Sequence, residues 1–538
     1  MISQDLTQEV MQWITHDPDP KTAAQLQQWL NENNQSELKR SFNGFLQFGT
    51  AGLRGPMGPG PSCMNRAVVS RAAAGIAAFM KAHGLKSVVI GRDARHGSKD
   101  FAKDSAEILA GAGFKTFVLP RELPTPVLAY AVNKLKADVG IMVTASHNPA
   151  IDNGYKVYLG GVINGVNYHG SQIISPIDRE ISDFISKAEL KPNRLTSYET
   201  VPETVITDYI KSVSALVKTP NQLKIVYTAL HGVGSETFLQ VFKEAGFAKP
   251  IMVTEQEKAD PDFPTTAFPN PEEAGAIDLA LDYAKQHNAD LVIANDPDAD
   301  RCAIAINDPE HGWRMLRGDE VGAILGKYFL AKDRINNGAF ANSLVSSSLL
   351  SKMAKKSGIE FHETLTGFKW ISKISNLAFG YEEALGYCVD AKNVNDKDGI
   401  SVAVMLAQIV GELKSAGISI PDYLNEIGHE FGFHKTDQIS VRVSDLSIID
   451  KLLSNVTSNP PKTLAGSELI SVEDLAKSPS MPTPGIRCFY NNGIRIIVRP
   501  SGTEPKLKCY IEVVSASKAD AQLRCDQIKK ELATTLQQ

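Results

Sequence analysis

Three short stretches carry residue types whose order could do chemistry. In Ile141-Met-Val-Thr-Ala-Ser-His-Asn-Pro149 an apolar run stops at Thr144, Ser146, His147, Asn148 and Pro149. That is the pattern of a strand ending in a polar turn, which would lift the Ser146 hydroxyl out of a sheet. In Asp296-Pro-Asp-Ala-Asp-Arg301 carboxylates recur at every second position directly after the apolar run 291–294. Three anions so close repel unless a cation neutralises them. All-oxygen ligands favour magnesium, calcium or manganese over zinc, and the loop lacks the length and glycine of an EF-hand. Magnesium, which keeps positions open for water and phosphate oxygens, is the expected ion. Arg499-Pro-Ser-Gly-Thr-Glu-Pro-Lys506 sets a cation among backbone amides and suits an anion. Each stretch alone reads as a surface turn or a solvated loop. Together a hydroxyl, a hard-metal site and an anion cradle point to phosphoryl transfer.

Charge arithmetic links the first two. Three carboxylates repel a phosphate, but a divalent ion leaves the cluster near −1 and gives phosphate oxygens a ligand. A phosphoserine at Ser146 would then be a fourth ligand beside Asp296, Asp298 and Asp300, with Arg301 placed to meet the phosphoryl group or to pair with its aspartate neighbours. A hydrolase nucleophile fits less well. The chain has no Gly-x-Ser-x-Gly elbow, and His147 is too close in sequence to serve Ser146 as a base. Lys156, in Asn153-Gly-Tyr-Lys156, is the expected base; it must be neutral to take a proton, and a metal ion and arginines would lower its pKa. Phe48-Gly-Thr-Ala-Gly-Leu-Arg-Gly55 surrounds Arg54 with glycines, so that backbone and guanidinium could approach a ligand closely.

These stretches need elements to hold them. Strands at 87–90, 115–119 and 139–143 alternate with helices reaching 109 and starting at 125, which predicts a parallel sheet delivering Ser146 at its carboxyl end. A second alternating block starts with a strand at 224–229 and continues through 251–253, and a third starts at 341–349 with Ser346-Ser-Ser348 at its turn. The last hundred residues differ, with strands near 438–443, 486–490, 494–499 and 507–514 and helices near 448–456 and 517–535, a smaller antiparallel α+β unit. Residues 4–40 read as a helical lead-in. A rival reading takes 224–229, Gly232-Val-Gly234 and Glu255 as a dinucleotide site, but Thr237 stands where the third glycine belongs.

At 538 residues the chain exceeds one core, and three to four domains are expected. Net charge −5 makes nucleic acid and membrane surfaces poor partners. No apolar run approaches a bilayer span and the N-terminus lacks a leader pattern, so a soluble, untargeted chain is expected. Six scattered cysteines without a Cys-x-x-Cys pair suit reduced thiols in a cytoplasm.

Thr144-Ala-Ser-His-Asn-Pro149, Asp296-Pro-Asp-Ala-Asp-Arg301 and Arg499-Pro-Ser-Gly-Thr-Glu-Pro505, in this order, resemble the signatures of the α-D-phosphohexomutase family over about residues 40–538. The resemblance implies three α/β domains with mixed or parallel sheets and a smaller C-terminal α+β domain around a central cleft. The expected divisions are 1–40, 41–205, 206–320, 321–435 and 436–538. It implies that Ser146 carries the phosphate, that the three aspartates bind Mg²⁺, and that Arg54 and Lys156 are the family's arginine and general acid/base. It implies that Arg499, Ser501, Gly502 and Thr503, with Lys508 beyond the loop, hold the substrate's non-reacting phosphate. Gly380-Tyr-Glu-Glu-Ala-Leu-Gly-Tyr387 occupies the place of the sugar-reading loop: Glu383 and Gly386 match, while Leu385 stands where serine is usual and Tyr387 where histidine is usual. That form resembles the phosphoglucomutase branch that includes phosphopentomutase. Thr366-Gly-Phe-Lys369, contributing Thr366, Gly367 and Lys369, resembles the loop that contacts the sugar phosphate. The implied reaction moves a phosphoryl group between the 1- and 6-positions of glucose phosphate through phosphoserine and glucose 1,6-bisphosphate. Mannose and pentose phosphates are the alternatives, and a monomer or small homo-oligomer is expected.

Overall fold

The structure, a computed structural model, describes residues 2–49, 52–189, 191–331, 335, 337–443, 446–501 and 506–536. The chain divides into two compact units, Met1–Leu316 with Leu385–Glu412, and Arg317–Ala384 with Leu413–Gln538.

The first unit opens with helices Gln4–His16, Pro20–Asn31 and Gln35–Ser41, capped by the side chains of Ser3, Asp19 and Asn34. The Asp-Pro-Asp-Pro break supplies both a cap at Asp19 and a proline at the first helical position, where no amide hydrogen is needed. Val10, Leu26 and Leu38 meet at the centre, fully buried.

Two sheets follow. Among the described residues the first runs Gly52–Pro56, Asp152–Leu159, Val139–Val143, Ser87–Arg92, Lys115–Val118, Glu199–Thr200, with Ser171–Gln172 added beside Asp152–Leu159. Its centre is parallel, as expected, because helices Ser98–Gly111 and Thr125–Lys134 carry the chain back between strands. It is mixed rather than purely parallel. Asp152–Leu159 runs antiparallel to Val139–Val143, and Gly52–Pro56 antiparallel to Asp152–Leu159. So Gly52–Pro56, which carries Arg54, is an edge strand, and Lys156 lies on a strand rather than in a turn. Glycine makes this approach feasible: a Cβ at Gly154 would sit 2.4 Å from the Thr144 carbonyl oxygen. Opposite residues of an antiparallel pair share a face. Gly52 faces Lys156 and Arg54 faces Gly154, so Arg54 and Lys156 project on one side.

The second sheet runs Ile251–Met252, Ile225–Thr228, Leu291–Ala294, Ala303–Asp308, Gly312–Met315 among the described residues. Leu291–Ala294 is buried at every position, as its unbroken apolar run requires, and its end opens directly into the aspartate stretch.

In the second unit Ala339–Ser343 pairs in parallel with Phe361–Thr364 and Leu377–Glu382. The strand expected over 341–349 ends earlier, since Leu349 already opens helix Leu349–Lys356 after the serine turn. The antiparallel sheet runs Phe433–Arg442, Lys506–Ser515, Ile494–Pro500, Ile486–Tyr490, Ser467–Asp474, Thr463–Leu464. Alternate residues Ile486, Cys488, Ile494, Ile496, Val498, Cys509, Ile511 and Val513 form its core against helix residues Ala521, Cys525, Ile528 and Leu532. Ser467–Asp474 escaped the sequence reading because it buries little, leaving Ile470 and Val472 exposed. Among the described residues no single helix is long and apolar enough to cross a membrane.

Gly154→Ala is expected to lose about 1–3 kcal/mol through overpacking. A urea midpoint equal to wild type would show that the strand can move aside.

Candidate active site

Ser146 sits where its strand ends, with φ 51°, a left-handed conformation rare for a non-glycine residue. The Ser146 amide donates to Thr144 Oγ1 at 2.9 Å, which bends the chain back at once. Its hydroxyl donates to Asp296 Oδ2 at 2.6 Å and lies 3.1 Å from His147 Nδ1. The side chain is almost buried, 3 % exposed.

The aspartate stretch is a second tight turn, with Ala299 at φ 54° and the Ala299 amide donating to the Asp296 carbonyl at 2.8 Å. Gly232, part of the rival dinucleotide pattern, spends its missing side chain here, since a Cβ would lie 2.3 Å from Pro297 Cα. Asp296, Asp298 and Asp300 are fully buried and each brings a carboxylate oxygen within 4.8 Å of the others. Lys156 donates to Asp298 Oδ2 at 2.7 Å and Asp300 Oδ2 at 2.9 Å; Lys397 donates to Asp300 Oδ2 at 2.7 Å, and Thr125 Oγ1 to Asp298 Oδ2 at 2.5 Å. Burial, then repulsion from its two neighbours, pushes Asp296 up to about 8. Burial would raise Asp298 and Asp300 too, but Lys156, joined at Asp300 by Lys397, outweighs it and holds both below the usual carboxylate range.

Lys156 departs from the expectation of a neutral amine. Burial opposes its charge, yet Asp298 and Asp300 overcome that and hold its pKa above the ordinary lysine value. Asp298 Oδ1 and Asp300 Oδ1 remain buried without a hydrogen-bond partner. Two orphaned carboxylate oxygens, a third carboxylate and a serine hydroxyl within reach form a donor set that fits a hard divalent cation.

Positive charge lies close to His147, the residue after the serine. Arg54 Nη1 donates to Asn148 Oδ1 at 3.2 Å, and burial depresses its pKa. Burial, then Arg301 and Arg54, pushes His147 well below the usual histidine value, so it stays neutral. The Arg301 amide donates to Asp296 Oδ1 at 3.0 Å, and its backbone forms an isolated bridge with Gly386. Gly386 is buried and Tyr387 is 1 % exposed, with the Tyr387 carbonyl accepting from the Asp398 amide at 3.0 Å. The arrangement sets the serine hydroxyl beside a candidate cation site, with Arg54 and Arg301 near His147, which suits a phosphoryl group.

The second unit holds the other predicted residues. Glu383 Oε2 accepts from Ser343 Oγ at 3.0 Å and Ser346 Oγ at 3.2 Å, which fixes its carboxylate. Gly367 has φ 104° between Thr366 and Phe368, and Lys369 is largely buried, its Nζ 5.5 Å from the Trp370 ring centre. Arg499 stands directly opposite Lys508 on paired strands, and Arg499 Nε is buried without a hydrogen-bond partner. Like charges face to face want an anion between them. The Ser501 amide donates to the Lys506 carbonyl at 2.8 Å; Gly502 and Thr503 lie outside the described residues.

Lys397, Thr125 and Arg95 were missed by sequence reasoning. A signal existed for Lys397: Asp398 caps helix Gly399–Ser415 by accepting from the Ile400 and Ser401 amides at 3.0 and 3.1 Å, so an N-cap pattern marks Asn395-Asp-Lys-Asp-Gly399 as a tight polar turn. A Cβ at Gly399 would lie 2.2 Å from the Arg301 carbonyl oxygen, which packs that turn onto the aspartate loop.

A solved structure of a phosphoglucomutase/phosphomannomutase family protein from Burkholderia thailandensis shares this fold, with TM-score 0.69 and 20 % identity over 91 % of this chain and 97 % of that one. In sequence, the chain matches phosphoglucomutase/phosphomannomutase alpha/beta/alpha domains I, II and III over residues 46–191, 207–312 and 317–428, and the C-terminal domain over 455–528. A Haemophilus influenzae protein described as a probable phosphomannomutase is 47 % identical over 465 residues, 85 % of this chain and 94 % of that protein. Mouse phosphopentomutase is 34 % identical over 568 residues, 94 % of this chain and 90 % of its own length. The chain belongs to the phosphoglucomutase/phosphomannomutase family and is an enzyme of the phosphosugar-mutase class.

Lys397→Met leaves Asp300 one ammonium partner instead of two. The expected cost is about 3–5 kcal/mol, read as a lower melting temperature. Millimolar magnesium should raise that temperature more in the variant than in wild type; an equal rise would sever the link between Lys397 and the cation site.

Proposed function

We propose that the enzyme interconverts glucose 1-phosphate and glucose 6-phosphate through a phosphorylated Ser146 and a bound glucose 1,6-bisphosphate. The observation that carries this reading is the Ser146 hydroxyl, 2.6 Å from Asp296 Oδ2, beside two carboxylates with unpartnered buried oxygens. Asp296, Asp298, Asp300 and the Ser146 phosphate would hold Mg²⁺, which supplies a Lewis acid for phosphoryl oxygens. Arg54, His147 and Arg301 stabilise charge on the phosphoryl group. Lys156 would exchange a proton with the sugar hydroxyl, and a cation held by Asp298 and Asp300 would weaken the ion pairs that keep its ammonium charged. One sugar oxygen bonds to phosphorus as the serine ester breaks; the sugar reverses, and its other phosphate returns to Ser146.

Arg499, Ser501, Gly502, Thr503 and Lys508 hold the phosphate that is not reacting, and Glu383, with Thr366, Gly367 and Lys369, reads the sugar. Gly386 and Tyr387 back the same loop. Pentose phosphate is the second reading, supported by the phosphopentomutase description of the mouse relative, and mannose phosphate the third, on the description of the Haemophilus influenzae relative. The six cysteines are buried and unpaired, which suits a reducing cytoplasm.

Ser146→Ala is expected to lower kcat by about four orders of magnitude without unfolding the chain. Chelation should abolish turnover and magnesium restore it. Values of kcat/KM for glucose, mannose and ribose 1-phosphates measured side by side decide the sugar, and a preference for ribose 1-phosphate would replace the glucose reading.

A further inference from the structure

The turn that presents Ser146 is built around a side chain from another strand end. Four carbonyl oxygens of residues 146–152 converge on the Arg95 guanidinium. Nη1 donates to the Pro149 oxygen at 2.7 Å and the Asp152 oxygen at 3.1 Å; Nη2 donates to the Ser146 oxygen at 2.6 Å and the Asn148 oxygen at 2.5 Å. Arg95 is 4 % exposed. Its own position is fixed three ways. Asp93 Oδ1 accepts from the Arg95 amide at 2.9 Å, Asp93 Oδ2 pairs with Nε at 3.4 Å, and the Phe263 ring covers the guanidinium with its centre 4.8 Å from Cζ. Asp93 is tied in turn to the serine strand, its amide donating to the Val143 carbonyl at 3.0 Å, and its Oδ1 accepts from Ser98 Oγ at 2.6 Å.

Four carbonyl dipoles aimed at one point repel each other, so the turn holds this curvature only around a cation. The cation must also be flat and forked, because the oxygens fall into two pairs served by two different nitrogens. An ammonium supplies the charge from a single atom and cannot span both pairs. Ser146, in its left-handed conformation, is one of the four residues held.

We propose that Arg95 is a positioning residue for phosphoryl transfer: its fork sets the curvature of the 146–152 turn and thereby the reach of Ser146 Oγ toward Asp296. The inference rests on the reading of Ser146 as phosphoryl carrier. It assigns Arg95 no contact with substrate, so its loss should act on the transfer rate and leave substrate affinity alone.

The test uses full-length Arg95→Lys and Arg95→Ala, checked for wild-type secondary structure by circular dichroism. Arg95→Lys keeps the charge and loses the fork; its kcat should fall about 100-fold, the effect of a reacting group misplaced by about an ångström, with KM within about threefold of wild type. The rate at which Ser146 takes up phosphate from glucose 1,6-bisphosphate, followed by intact mass, should fall in parallel. Millimolar guanidinium should recover about tenfold of the Arg95→Ala loss by refilling the cavity, and ammonium should not. Wild-type kcat in Arg95→Lys, a change confined to KM, or a folded Arg95→Ala that guanidinium fails to restore would each overturn the inference. Should Arg95→Ala not fold, the kcat, KM and phosphorylation rates of Arg95→Lys decide alone. Ser146→Ala separates the two ideas: if it retains wild-type turnover the phosphoserine reading fails, whereas an inactive Ser146→Ala beside an unimpaired Arg95→Lys removes only the role of Arg95.

Discussion

The first unit is arranged around three buried carboxylates that must be neutralised. Asp296, Asp298 and Asp300 are fully buried, and desolvating one carboxylate without compensation costs several kcal/mol. Lys156 and Lys397 supply two ammonium groups, Thr125 one hydroxyl and Ser146 another. These partners come from four separate parts of the chain. A requirement for counter-charge therefore dictates which strand ends, helix starts and loops meet, and it explains why a turn far along the chain is packed on the aspartate loop with a glycine at the contact. The balance is incomplete: two carboxylate oxygens keep no partner, so the cluster retains an appetite for a cation that apolar packing could not have supplied.

Strand direction converts that requirement into a site. Had the chain continued into another parallel strand after Val143, a long crossover would have taken it away from Ser146. Instead it reverses through Pro149 and returns antiparallel, so that Lys156 lies opposite Met142, four residues before the serine. The edge strand then sets Gly52 against Lys156 and brings Arg54 onto the same face. A one-residue slip of the edge strand would turn Arg54 to the opposite face, and a slip of Asp152–Leu159 on Val139–Val143 would turn Lys156. Register thus fixes the distance from cation to serine more firmly than any single hydrogen bond here.

What could be read from residue order follows the reach of local forces. Val139–Val143 and Leu291–Ala294 were legible to the residue because their apolar runs are unbroken and end in polar turns. The serine and aspartate stretches were legible because each concentrates its chemistry within a few positions. Gly52–Pro56 was not, since glycine weakens the strand signal and the pairing that makes it a strand lies about a hundred residues on. Lys397 lies 97 residues from Asp300 and Arg95 is 51 from Ser146, and no periodicity links such pairs. In the structure without an ion, Lys156 departs from the expected neutral amine for a related reason. Sequence counted the arginines near it but could not weigh them against two carboxylates in direct contact, and direct contact wins.

The two units carry opposite electrostatic stress. In the first, two buried carboxylate oxygens, Asp298 Oδ1 and Asp300 Oδ1, have no hydrogen-bond donor. In the second, Arg499 and Lys508 stand opposite each other with a guanidinium nitrogen buried and unpaired. Each imbalance costs stability on its own, of order 1–3 kcal/mol for an unsatisfied buried polar atom, and packing does not remove it. A divalent cation relieves the first and a phosphate dianion the second. Under the proposed function a phosphorylated sugar acting with a metal ion brings both signs, so stability withheld from the free protein returns as binding energy. That is a physical reason for a fold to keep such defects in loops that resemble phosphohexomutase signatures.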